Sequence, residues 1–320
     1  MDNSKYSNVD GILTILADAP DWPSSANIYA IPDENGFSLI DVGCGGINGV
    51  ELLKEGLRYW KLKIEQLHTV VLSHAHPDHM GAIGWIQGEV NPTVYIHHLD
   101  IGPALDPAQL DVTFDIELAK NRWAAFNTGN ELNDFSILNY LDSSGCLMSA
   151  AAHVEQLPAG NVLHLSDFEF HVIHTPGHSP GHVSLFEKNR RILLAGDLVG
   201  KAPAWYVPAA GGVIGYLESL AKFDGLDPAV LLPAHGTIIE EATQAIQKIK
   251  MKLLQRESFL KEALQDGAKS FMELNKVLLG DSPINFFPGC GIIESHLIKM
   301  EREGVITRKG QDISLRVLPG

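Results

Sequence analysis

The segment Ser73-His74-Ala75-His76-Pro77-Asp78-His79 packs four side chains able to ligate a metal into six residues. Imidazole and carboxylate groups at this density cannot be buried without partners, because their desolvation is costly. Residues two apart on an extended loop point to the same side, so His74 and His76 can converge on one ion. Asp78 and His79 can then address a second on the next turn. Three later loops carry further candidates: Thr175-Pro176-Gly177-His178, Ala195-Gly196-Asp197 and Leu231-Leu232-Pro233-Ala234-His235-Gly236. Each of these is weak alone; four in order point to a shared metal site. Two adjacent cations would bring the pKa of bound water toward neutrality and create a hydroxide nucleophile. Asp78 or Asp197 would shuttle the proton. The chain shows no G-x-S-x-G elbow, and hydrolysis through a metal needs none.

The elements that must position these loops alternate in a sheet-rich α/β pattern. Short strands are expected at Ile12–Leu16, Asn27–Ile31 and Phe37–Asp41, with a turn at Asp33–Gly36. The turn Gly43–Gly46 precedes a helix over Gly49–Trp60, read from its 3.6-residue spacing. His68–Leu72 reads as a buried strand ending at the first ligand loop, Met80–Gln87 as helix and Thr93–His97 as strand. Strand signals return at Val162–Leu165, Phe168–His174, Val183–Phe186 and Ile192–Ala195. About residues 100–155 the rhythm is broken by an insertion with helical pieces at Asp115–Phe126, Asn133–Leu141 and Cys146–His153. Long insertions beside active sites often form lids or pocket walls. Its aromatic residues, Trp123 and Tyr140 among them, are candidates for an apolar wall facing substrate. After Gly236 come helices at Glu240–Gln265, Ser270–Leu279 and Ile292–Glu303, then a hairpin of Val305–Arg308 and Ile313–Leu318. The expected organisation is therefore a catalytic domain over 1–240 and a small helical, winged-helix-like domain over 241–320 that supplies no ligand.

The HxHxDH loop, the TPGH loop, the strand-end Gly-Asp and the late Ala-His-Gly loop together resemble the metallo-beta-lactamase superfamily. The likeness spans roughly residues 10–240 and departs from the family pattern only at Ala234. It implies a four-layer αββα sandwich. It further implies that His74, His76 and His178 hold one metal, that Asp78, His79 and His235 hold another, and that Asp197 bridges both. Asp41 matches a family Asp at a strand end, where it either orients the ligand loop from behind or caps the Gly43–Gly46 turn. His182 is read either as a structural histidine or as one facing substrate or supporting a ligand. Nitrogen and oxygen ligands suit two zinc ions and equally iron or manganese. No cysteine falls in a ligand loop, which sets the chain apart from the thiolate-containing antibiotic-hydrolysing branch.

Composition narrows the function. The chain has 320 residues, 45% of them hydrophobic, and a formal charge of −15, which fits a soluble globular protein with no membrane span. Residues 241–320 hold 12 Lys/Arg against 10 Asp/Glu, so the acidity lies in the first three quarters. Such a surface repels phosphate backbones and argues against nucleic acid as substrate. The N-terminal residues show no secretory signal. Three widely spaced cysteines, Cys44, Cys146 and Cys290, predict a reducing, cytoplasmic setting with no disulfide framework. The favoured reading is hydrolysis of a small ester, thioester or lactone, as in the similar hydroxyacylglutathione hydrolases and lactonases. The competing readings are a metal-dependent endoribonuclease and an iron-dependent, persulfide dioxygenase-like oxidoreductase. The tail reads as a packing or homodimerisation element.

Overall fold

The computed structural model describes residues 5–17, 23–126, 132, 134–157 and 160–316. Asn133 and the end of the expected terminal hairpin lie outside them. One sheet holds seven strands in sequence order: β1 (Asn8–Val9), β2 (Ile12–Ile15), β3 (Ile28–Pro32), β4 (Phe37–Ile40), β5 (Leu67–Val71), β6 (Thr93–Ile96) and β7 (Glu155–Gln156). β1 to β4 pair antiparallel, and β4 to β7 pair parallel. The second sheet runs β12 (Val230–Pro233), β11 (Ile192–Gly196), β10 (Val183–Glu187), β9 (Phe168–His174) and β8 (Val162–Leu165), with only β11 and β12 parallel.

The layering follows from which faces are apolar. Ile12, Ile31, Ile40 and Val71 of the first sheet meet Phe170, Val172, Leu185 and Leu194 of the second in a core between the sheets. The opposite face of the first sheet, through Leu13, Ile15 and Leu39, packs on Leu53 and Leu57 of α1 (Gly46–Trp60), with Ile83 and Ile86 joining them. The outer face of the second sheet packs on Val213 and Tyr216 and on Ile246, Ile249 and Leu253. Helices thus flank both sheets, the mixed α/β sandwich that the sequence leads one to expect. In the two large sheets, strand ends expected from sequence fall within one residue of those observed.

The helices between α1 and β7 are α2 (Pro77–Met80), α3 (Ile83–Glu89), α4 (Ile101–Leu105), α5 (Leu110–Thr113), α6 (Ile116–Ala124) and α7 (Ile137–Ser143). After the strands come α8 (Gly212–Ala221), which the sequence reading missed, then α9 (Ala242–Ala263), α10 (Phe271–Leu279) and α11 (Gly289–Arg302). α10 starts at a capping box in which Ser270 and Glu273 satisfy each other's backbone N–H groups, a strong local start signal. The hairpin β13 (Ile306–Lys309) and β14 (Asp312–Leu315) closes the chain's described part. Insertion residues Leu110, Phe114, Ile137 and Leu141 share one apolar core with Leu260, Phe271, Ile293 and Leu297 of the C-terminal helices. Arg122 of the insertion also pairs with Glu294 at 2.9 Å.

Two expectations are corrected. Cys146–His153 is not helical: Leu147 bridges to Gly45 in an extended conformation, and its carbonyl accepts from the Gly45 N–H at 2.9 Å. Next to that bridge Cys44 and Cys146 form a disulfide, so the chain has one free cysteine among its three, the buried Cys290. The covalent tie and the strand-like bridge hold the segment in place of helical hydrogen bonds. With that pair bonded, cysteine content no longer argues for a reducing compartment.

Candidate metal centre

Each loop expected to carry a ligand leaves the end of a strand or a short helix. β5 runs into His74 and His76, and α2, entered through Pro77 at its first position, turns Asp78 and His79 back over them. β9 ends before His178, β11 ends before Asp197, and β12 ends before His235. His74, His76, Asp78, His79, His178 and Asp197 are buried side chains, and His235 remains about one third exposed.

The seven side chains converge in two adjoining groups. His74 Nε2 lies 2.8 Å from His76 Nδ1, which lies 2.9 Å from His178 Nε2. In the other group His235 Nε2 sits 3.2 Å from Asp78 Oδ2, and His79 Nε2 sits 3.8 Å from the same oxygen. Asp197 lies between the groups: its Oδ2 is 2.9 Å from His178 Nε2, and its Oδ1 is 3.2 Å from His79 Nε2 and 3.6 Å from His235 Nε2.

The donor set fits divalent cations. His178 Nδ1 donates to the Trp205 carbonyl at 2.7 Å, so a neutral ring presents a bare lone pair at Nε2. Ser73 Oγ donates to Asp41 and lies 3.0 Å from His74 Nδ1, which leaves the His74 lone pair on Nε2. His76 Nδ1 faces both of these lone pairs and can donate a proton to only one of them, so the other pair of nitrogens repels unless a cation lies between. Consistently, His79 Nε2, His235 Nε2 and Asp197 Oδ1 are buried with no hydrogen-bond partner, an arrangement that an ion between them would satisfy. Burial, reinforced by the neighbouring imidazoles, holds His74 and His76 far below the ordinary histidine pKa. Burial would also depress His79, but Asp197, Asp41 and Asp78 outweigh it and raise that ring well above its ordinary value. Burial disfavours the Asp197 anion, yet His79, His178 and His235 more than compensate and keep its carboxyl well below the usual range.

Behind the cluster stand two further buried groups, Asp41 and His182. Asp41, at the end of β4 with φ of 54°, accepts from the Ser73 N–H at 2.7 Å and the Ser73 hydroxyl at 2.8 Å, and its Oδ2 lies 2.9 Å from His79 Nδ1. Its carboxylate therefore faces the ligand loop. His182 is fully buried; its Nε2 accepts from the Asp197 N–H at 3.1 Å, and its Nδ1 is 2.8 Å from Thr175 Oγ1. Burial, followed by the influence of His178, pushes the His182 pKa down to about 3, so the ring is neutral and suited to accept that hydrogen bond.

A cavity of about 620 Å³ opens from Asp197 and His235, lined by Leu16, Val199, Pro203 and Trp205, with Lys5 and Lys201 also on its wall. Trp205 stacks on His76 with ring centroids 4.9 Å apart, and Phe114 of the insertion lies 4.5 Å from the same imidazole. The two aromatic candidates named from the sequence, Trp123 and Tyr140, lie elsewhere. Trp123 meets Phe286 edge-on at 5.7 Å, and Tyr140 is 40% exposed with its ring 6.0 Å from Phe135. The sequence reading did not single out Trp205. Its signal was the long Gly- and Pro-containing loop after Asp197, a common form for binding segments.

The comparisons agree with this geometry. The sequence profile of the metallo-beta-lactamase superfamily matches residues 21–235, and the chain belongs to that superfamily. The probable metallo-hydrolase YflN of Bacillus subtilis (strain 168) is 30% identical over 244 residues, which cover 66% of this chain and 80% of that protein. The human acyl-coenzyme A thioesterase MBLAC2 is 46% identical over 199 residues, covering 59% of this chain and 64% of that one. The fold matches the metallo-beta-lactamase family protein TTHA1429 from Thermus thermophilus at a TM-score of 0.78 and 21% identity, covering 97% and 100% of the two chains. The chain is a hydrolase of this fold with a potential dinuclear His/Asp site. Among the described residues no helix is long and apolar enough to cross a membrane.

Proposed function

We propose that the protein hydrolyses an acyl thioester whose thiol half carries anionic groups, using two zinc ions held by the seven converging side chains. In this reading His74, His76 and His178 would hold one ion, Asp78, His79 and His235 would hold the other, and Asp197 would serve both. Such a pair supplies Lewis acidity and lowers the pKa of water toward neutrality. Asp197 has both oxygens directed at imidazoles, so Asp78, which faces them through Oδ2, is the carboxylate with an oxygen to spare for a proton. Asp41 and His182 orient the ligands from behind. Residues 1–240 form the catalytic domain. Residues 241–320 form a C-terminal domain that supplies no ligand, with His296 engaged instead by the Tyr206 hydroxyl at 2.8 Å.

The observation that carries the substrate class is the cavity wall. Trp205, Val199 and Pro203 offer an apolar surface for an acyl chain beside Asp197 and His235, as ligand pockets typically do. Lys5 and Lys201 stand on the same wall, and the one carboxylate among its described lining is Asp197. In a chain of charge −15, the Lys201 ammonium on that wall favours an anionic substrate. The likeness to an acyl-coenzyme A thioesterase supports the same class.

The test is turnover of the metal-loaded full-length chain on fatty acyl-coenzyme A and on acyl-pantetheine, which lacks the nucleotide phosphates. Both are expected to be cleaved, with kcat/KM for the coenzyme A ester higher by up to about fivefold, since one exposed charge pair contributes about 0.2–1 kcal/mol. Lys201→Ala should narrow that gap by raising KM for the phosphate-bearing ester alone. Cleavage of lactones or phosphodiesters without cleavage of either thioester would refute the reading.

A further inference from the structure

Asp100 was not among the residues that the sequence singled out, yet it is fully buried and lies between the two loops that carry His74, His76 and His178. Its Oδ2 accepts from the Ala75 N–H at 3.0 Å and from the Ser179 hydroxyl at 2.7 Å. Its Oδ1 accepts from the Gly181 N–H at 2.8 Å. Ala75 stands between His74 and His76, and Ser179 follows His178. One carboxylate therefore joins a loop of the seven-stranded sheet to a loop of the five-stranded sheet, immediately behind three imidazoles.

The surroundings are built for this contact. A Cβ at Gly181 would fall 2.5 Å from Asp100 Cγ, so only glycine lets the loop approach so closely. The short turn His98–Asp100 follows β6. At its start His97 stacks on His174, the last residue of β9, with centroids 4.3 Å apart and planes within 10°. His174 Nε2 in turn donates to the Pro180 carbonyl at 2.8 Å. The turn that delivers Asp100 is thus docked against the loop that it holds. Three donors, two of them backbone N–H groups, call for a group that only accepts, and an ionised carboxylate is that group. Removing it would leave three buried donors without partners.

We propose that Asp100 is a positioning residue that sets the spacing of His74 and His76 against His178, and so the affinity of that three-histidine site over its neighbour. The proposal rests on the metal-centre reading above. No hydrogen bond joins Asp78, His79 or His235 to Asp100 or its three partners, and His79 is held instead by Asp41. Loss of Asp100 should therefore act on one of the two sites.

Three variants grade the effect. Asp100→Ala removes all three contacts. In Asp100→Asn the amide oxygen can keep Ala75 and Ser179 while its NH2 confronts the Gly181 N–H. Ser179→Ala removes one contact and is the mildest. Metal retained against a chelator should fall from two ions per chain to one in Asp100→Ala. The affinity of the weaker site should drop about 10–100-fold, the range for losing a group that supports a ligand, while the other site stays within about twofold. Asp100→Asn and Ser179→Ala should lie between Asp100→Ala and the natural chain. Equal weakening of both sites, or of neither, would overturn the proposal. Amide exchange of the metal-free chain separates this from failure of the metal reading. Protection at Ala75 and Gly181 should drop selectively in Asp100→Ala, and unchanged protection refutes the clamp. A natural chain that binds no metal refutes the metal centre instead. Where Asp100→Ala does not fold, Ser179→Ala and Asp100→Asn carry both measurements.

Discussion

Reduction of the Cys44–Cys146 disulfide is the perturbation with the most defined magnitude. The bond closes a segment of 102 residues that contains β5, β6, the HxHxDH loop and α1 to α7. In the chain-entropy treatment, freeing a loop of about 100 residues costs up to about 4.7 kcal/mol, and 2–4 kcal/mol is typical. Unfolding entropy of about 2.1 cal/mol/K per residue gives roughly 0.7 kcal/mol/K for a chain of this length. A cooperative unfolding transition should therefore move down by about 3–7 °C on reduction or in Cys44→Ser. The local effect should concentrate near the metal centre. Cys44 sits in the Gly43–Gly46 turn, whose neighbour Val42 donates through its N–H to the His79 carbonyl at 2.8 Å, and Gly43 bridges to Met80. The assay is a thiol count combined with a melt. Folded, non-reduced protein should show no reactive thiol, because Cys290 is buried and burial pushes its pKa up to about 12. Denatured, non-reduced protein should show one thiol, and reduced protein three. Three thiols before reduction would refute the pairing. The correct count with an unshifted melt would refute the entropic argument.

Asp197→Asn should retain one metal fewer per chain and lose at least about a hundredfold in kcat/KM, beyond the usual loss for an outer supporting group, because an amide cannot offer two anionic oxygens to both clusters; natural metal content and turnover would remove Asp197 from the bridge. Glu257 joins Lys261 of its own helix to Lys299 of α11, at 2.7 Å each. Burial raises its carboxyl pKa, but hydrogen bonds from the two lysines outweigh this and hold it below its ordinary 4.5. A depressed folded pKa gives stability that is fully present above that ordinary value and lost as pH falls through the lower folded value. Melting curves of the natural chain and Glu257→Gln should accordingly differ at pH 7 and draw together as pH falls below the ordinary carboxylate value; a gap that persists in acid would refute the sign.

The ligand loops were legible because each carries its information locally: histidines two apart after a strand, a Gly-Asp at a strand end, a His between Ala and Gly. Strand boundaries were legible for a similar reason, since buried β-branched runs end at glycine, proline or charged residues. What remained hidden depends on contacts distant in sequence. Asp100 is an ordinary acid after two histidines, and its role appears only when Ser179 and Gly181 are brought to it. The cysteine pairing could not be read from three widely spaced residues, because connectivity is not a local property. Trp205 lies in a loop without periodicity, and only the fold lays its ring on His76. The expected helix at Cys146–His153 failed for the same reason, with a bridge to Gly45 overriding local propensity.

The hydrogen bonds behind the cluster also place a proton on the outward nitrogen of three of the rings. His178 gives its Nδ1 proton to the Trp205 carbonyl, and His79 directs Nδ1 at the Asp41 carboxylate. His182, whose Nε2 must accept from the Asp197 N–H, carries its proton on Nδ1 toward Thr175. Each proton thus points away from the cluster, toward an acceptor supplied by a different segment. A ring in the wrong tautomer would lose that acceptor and aim an N–H at the other ligands, leaving a buried polar group unpaired at about 1–3 kcal/mol. Ligand geometry and proton placement are therefore set by the same contacts. A substitution at Asp41 or Ser73 should weaken metal binding without removing a ligand, whereas one at an exposed residue of the same loops should not.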